Sequence, residues 1–101
     1  MATVGGFHSK KERNASIEMD HTLYADGFDQ AIIGLCIECS PSRVVYDKQK
    51  MVEILMEEDE MSEEDAIDFL EYNTWNAYVG EGTPIYVTVM SKQEIDDTVQ
   101  A

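Results

Sequence analysis

A chain of 101 residues that is 44% apolar has room for one domain with a modest core, and that apolar share excludes disorder along its whole length. Twenty-one Asp and Glu against seven Lys and Arg give a formal net charge of -14, which repels phosphate backbones and anionic membrane surfaces. No apolar run approaches the roughly 20 residues that span a bilayer. Direct nucleic-acid binding and membrane insertion are therefore not expected, and a protein with a basic surface is the natural electrostatic partner.

In chain order, residues 1–20 read as a flexible polar arm. Gly5, Gly6 and the mixed stretch from Ser9 to Asn14 show no period and few apolar anchors. The arm has no apolar h-region, so it is not read as a secretory signal, and the expected location is the cytoplasm. Asp26-Gly27 signals a turn. The β-branched run Ile32-Ile33-Gly34-Leu35-Cys36-Ile37 then reads as a buried strand ending at Ser40-Pro41-Ser42, and Arg43-Val44-Val45-Tyr46 as a second short extended piece.

Asp47 offers an N-cap for a helix over 48–58, with Met51, Val52, Ile54 and Leu55 at helical spacing. Ser62, followed three residues later by Asp65, resembles a capping box for a second helix over 63–78, with Gly80 and Gly82 placed to end it. Thr83-Pro84 restarts an extended chain, and residues 85–89 alternate as a half-buried strand should. Residues 91–101 form an acidic C-terminal tail with room for a short final turn or helix. The fold class is α+β: two consecutive helices packed on a small β-sheet, with the domain over 21–90. Ile33, Leu35, Ile54, Leu55, Phe69, Leu70 and Val87 are its expected core.

At about 100° per residue, Ala66, Phe69, Leu70, Asn73 and Ala77 share one side of the second helix. Glu64, Asp68 and Glu71 lie opposite, and Trp75 and Tyr78 continue that line. The large core area that aromatics carry favours burying Trp75 and Tyr78. Exposed beside carboxylates, they would instead be contact residues. Glu57, Glu60, Glu64, Asp68, Glu71, Trp75 and Tyr78 are the candidate partner-binding set.

Other chemistry is weakly supported. Cys36 and Cys39 form a C-x-x-C pair, but structural zinc needs four ligands and only His8 and His21 could add to them. On a continuing strand, residues three apart point to opposite faces, so two buried thiols are expected. The acidic corner between the helices fails as a calcium loop, because counting from Asp59 puts Met61 at the third position and Glu64 in place of the glycine at the sixth. No nucleophile elbow, phosphate-cradling loop or Ser-His-Asp set is present. No catalytic residue, metal or cofactor is assigned, and the chain is read as a non-enzyme.

Several stretches together resemble a family of short proteins encoded mainly by tailed bacteriophages and prophages. They are Val44-Val45-Tyr46-Asp47, Ile54-Leu55-Met56-Glu57-Glu58-Asp59, Met61-Ser62-Glu63-Glu64-Asp65-Ala66, Phe69-Leu70-Glu71-Tyr72-Asn73 and Ala77-Tyr78-Val79-Gly80-Glu81-Gly82-Thr83-Pro84. The resemblance spans residues 28–87 and implies a phage accessory protein acting in the host cytoplasm. With the charge, it leads to the expectation of a non-catalytic module that engages a host protein through an acidic surface, standing where DNA phosphates would. The alternative is a structural or assembly component of a virion, or of a homo-oligomer built through the last strand and the aromatics.

Overall fold

Asp47 marks the change from strand to helix. Its Oδ1 accepts hydrogen bonds from the backbone N–H of Gln49 at 3.0 Å and of Lys50 at 3.4 Å, satisfying two donors that a helix start leaves unpaired. The structure, a computed structural model, describes residues 6–9 and 22–100. Strand β1 (Phe7–Ser9) pairs antiparallel with β2 (Leu23–Ala25). A 3₁₀ turn, Asp29–Ala31, leads into β3 (Ile32–Cys36), which returns through a hairpin to β4 (Arg43–Asp47). Helices α1 (Lys48–Glu58) and α2 (Glu63–Leu70) follow, and α2 continues into a π-helical turn, Glu71–Trp75. Strand β5 (Ile85–Val87) and helix α3 (Lys92–Val99) complete the chain.

The sheet order is β3-β4-β5, with β3 antiparallel and β5 parallel to the central β4. A parallel pair needs a long crossover. Here α1, α2 and the π turn supply it, with α1 packed on β4 and α2 packed on α1. The fold is a small α+β domain, as the order of sequence elements implies. In β4, Val44 and Tyr46 are buried, while Arg43, Val45 and Asp47 are half-buried, as a central strand with one inward face requires. The core joins Val44 and Tyr46 to Ala25, Phe28 and Ala31, to Met51, Val52, Ile54 and Leu55 of α1, and to Ala66 and Leu70 of α2.

Three sequence expectations are corrected. Ile33 and Leu35 are not core residues; they are 52% and 50% exposed. The reason is position: β3 is an edge strand, and a bulge between Ile32 and Gly34 puts Ile33 out of register with β4. Phe69 and Val87 are half-buried, while Ile54, Leu55 and Leu70 are buried as expected. The second helix stops at Trp75 rather than Tyr78, and Gly80, with φ 125°, lies in the loop beyond it. Part of the expected polar arm, Phe7–Ser9, is strand β1; most of the remainder of that arm lies outside the described residues.

The loop after the π turn is tied into the sheet. Thr83 Oγ1 donates to Gly80 O at 2.6 Å and accepts from the Val79 N–H at 3.0 Å, while Arg43 Nε donates to Thr83 O at 2.6 Å. Leu23 N–H adds a bond to Gly82 O at 3.2 Å, so the loop also anchors β2.

Candidate acidic interface

Helix α2 begins at Ser62, whose Oγ accepts from the Asp65 N–H at 3.1 Å. Glu63, Glu64 and Asp65 fill the first turn, where the helix dipole favours negative charge. Spacings of four and three then carry the line through Glu64, Asp68 and Glu71, all exposed. From Met51 to Ser91 the chain has eleven acids and no Lys or Arg, so no basic side chain in that stretch offsets the line.

The π turn changes what stands beside these acids. In a continuing α-helix, Trp75 would lie about 140° from Leu70. Bonding of the i→i+5 type widens the turn and brings the fifth residue back towards the starting face. Thr74 is accordingly buried and Trp75 half-buried against the core, where its indole N–H lies 3.4 Å from Met51 Sδ. The carbonyls of Phe69 and Glu71 accept from the side-chain amides of Asn73 and Asn76, each at 3.0 Å. Asn73, expected inward, is exposed.

Trp75 therefore leaves the acidic line. It faces the start of α1, where the Lys48 ammonium sits 4.3 Å from its ring centroid. The aromatic beside the acids is Tyr72, 90% exposed. Asp68, Glu71 and Tyr72 line a shallow hollow of about 390 Å³. Helical spacing carries this signal, since Tyr72 is four residues beyond Asp68. Burial of Tyr78 is corrected: it is 76% exposed, because the helix ends at Trp75 and Tyr78 lies past it. Glu57 is exposed on α1, and Glu60 is exposed at the corner between the helices. Glu60 has φ 57°, a left-handed conformation that glycine adopts without the Cβ penalty.

The cysteines are a correction. Cys36 and Cys39 are bonded to each other and half-buried, not two buried thiols. The strand ends at Cys36 and the chain turns, with the Cys39 N–H donating to Cys36 O at 3.3 Å. That turn brings the two Cα atoms to 5.5 Å, within disulfide range. Among the described residues no group of three or more His, Cys, Asp or Glu is placed to hold a metal ion. No helix among them is long and apolar enough to cross a membrane.

Compared with known proteins, the chain matches no family model, no curated protein and no solved structure.

Proposed function

We propose that the chain is a non-catalytic binding module, of the phage accessory type its sequence resembles, that engages the basic surface of a host protein in the host cytoplasm. The observation that carries this reading is the exposed line Glu64, Asp68 and Glu71 with Tyr72 exposed beside it, four residues beyond Asp68. A lysine or arginine entering the hollow would meet two carboxylates and an aromatic ring, a combination that favours basic side chains through ion pairing and cation–π contact. Aromatics flanked by charge are the usual anchors of protein interfaces. The π turn adds weight, since such turns recur at functional sites and cost regular hydrogen bonding. Glu60, held in a conformation glycine takes more cheaply, is a second departure from local stability on the acidic stretch.

Carboxylates spaced along a helix can stand where DNA phosphates would, so DNA-binding host proteins are the partner class. The test is capture from bacterial lysate on the immobilised full chain, with duplex DNA as competitor. The reading expects a basic DNA-binding protein to be held at low salt and displaced both by the duplex and by high salt. Capture indifferent to DNA and salt would contradict it.

A further inference from the structure

A second hollow, of about 160 Å³, has Val52, Ile67 and Trp75 as walls, with Lys48 and Thr88 among its other lining residues. Lys48 is the one charged side chain among its described lining residues. The first turn of α1 carries Lys48 and Lys50; the Asp47 carboxylate caps the helix start and Lys50 lies 3.9 Å from Glu53, which leaves Lys48 as the cation at the hollow. Lys48 already lies over the Trp75 ring, so apolar wall and cation are adjacent.

Helix α3 has the opposite character and no place in the core. It buries none of its residues, yet it is well formed: Ser91 and Glu94 make a reciprocal capping box, and Lys92 Nζ lies 2.7 Å from Asp96 Oδ2. Ile95 and Val99, four residues apart, form an apolar line left 44% and 71% exposed. Glu94 and Asp96 lie about 100° on either side of Ile95, and Lys92, paired with Asp96, lies about 60° from it. An apolar line on a helix with three acids and one lysine matches an apolar hollow with a lysine at its rim. The hollow includes Thr88, and only Val89, Met90 and Ser91 separate Thr88 from α3. A helix joined by so short a hinge to the edge of its own complementary surface is the usual setting for exchange between copies.

We infer that the hollow lined by Lys48, Val52, Ile67 and Trp75 receives α3 of a second copy, so that two chains exchange their C-terminal helices in a two-fold dimer. The exchange is reciprocal: one symmetry operation makes the contact twice. It brings Lys48 against the net acidic α3, a pairing that favours association of two strongly acidic chains. It does not rest on the Glu64, Asp68 and Glu71 face.

The test is sedimentation of the full chain from micromolar to sub-millimolar concentration, with emission of its only tryptophan followed in parallel. The expected result is a concentration-dependent dimer with a blue shift of Trp75 emission as the hollow is covered. Ile95→Asp with Val99→Asp should abolish the dimer and leave circular dichroism of the core unchanged, since neither side chain is in the core. Lys48→Glu should weaken association by about tenfold or more. A monomer at every concentration overturns the inference, including one whose Trp75 emission shows docking within a single chain. A dimer that persists in the α3 double variant overturns it equally.

Discussion

The rings of Tyr46 and Tyr86 lie 5.7 Å apart at 35°, and their buried hydroxyls fare differently. Tyr46 Oη accepts the Ala25 N–H at 2.8 Å, tying β2 to the central strand. Tyr86 Oη is buried without a hydrogen-bond partner among the described residues.

Opposite effects follow from removing the two oxygens. Tyr46→Phe orphans the Ala25 N–H and should cost about 1–2 kcal/mol, whereas Tyr86→Phe removes an unsatisfied group and should be neutral or stabilising by up to about 1 kcal/mol. Urea unfolding of both variants checks this. Equal losses would contradict the asymmetry.

The same pair sets an alkaline limit. Burial, chiefly, pushes the Tyr46 hydroxyl up to about 12; the Asp29, Tyr24 and Asp26 side chains push the same way, and the Ala25 bond opposes them. Burial and the neighbouring Tyr46 push Tyr86 up as well. An unfolded tyrosine ionises near pH 10. The folded values lie above it, so stability is full below about pH 10 and is lost as pH rises through about 12. For Tyr46 alone the loss is about 2–3 kcal/mol. Unfolding midpoints measured from pH 8 upward should fall in that window, and less steeply in Tyr86→Phe.

How much of this was legible in the sequence follows from what each signal reports. Asp47 and Ser62 are local chemistry, and both cap the helices as expected. The Ile32-to-Ile37 run reported a strand correctly but could not report that the strand lies at an edge, because sheet order is set by the distant pairing of β4 with β5. The wheel failed at the π turn, since it assumes one angle per residue throughout. Trp75 turns inward, as the core area of aromatics favours, while Tyr78, favoured for burial on the same ground, is exposed because the helix ends before it. The C-x-x-C spacing points to opposite faces only on a continuing strand, and β3 ends at Cys36, so the disulfide follows from a turn that the spacing does not report.

The disulfide should be dispensable. It closes a loop of only four residues, for which chain entropy gives about 2 kcal/mol at most. The hairpin is held independently by its ladder and by Thr22 Oγ1 donating to Ser42 O at 2.7 Å. Cys36→Ser with Cys39→Ser should therefore lower stability by about 2 kcal/mol or less and leave circular dichroism unchanged. A module proposed to work in a reducing compartment requires that outcome. Unfolding on reduction would contradict it.

Tyr72 and Glu60 test whether local departures from stability serve binding. Tyr72→Ala, at an exposed site, should change stability by no more than about 0.5 kcal/mol. It should weaken partner binding about tenfold, as loss of an interface aromatic does. Glu60→Gly should stabilise by up to about 1 kcal/mol by removing the left-handed penalty. Calorimetric melting and binding titrations on the same preparations separate the two effects. Unchanged binding in Tyr72→Ala would remove Tyr72 from the interface.

The most direct measurement is binding of the captured host protein to the triple variant Glu64→Lys, Asp68→Lys and Glu71→Lys across a salt titration. The Glu64 and Asp68 carboxylates repel each other by about 0.2–0.5 kcal/mol as an i,i+4 pair, and no lysine or arginine between Met51 and Ser91 offsets them. Reversing the line should leave the fold intact, preserve or raise the melting temperature, and abolish capture at every salt concentration. A triple variant that binds as tightly as the parent, with the same salt dependence, would show that the acidic line is a solvated face and not the interface.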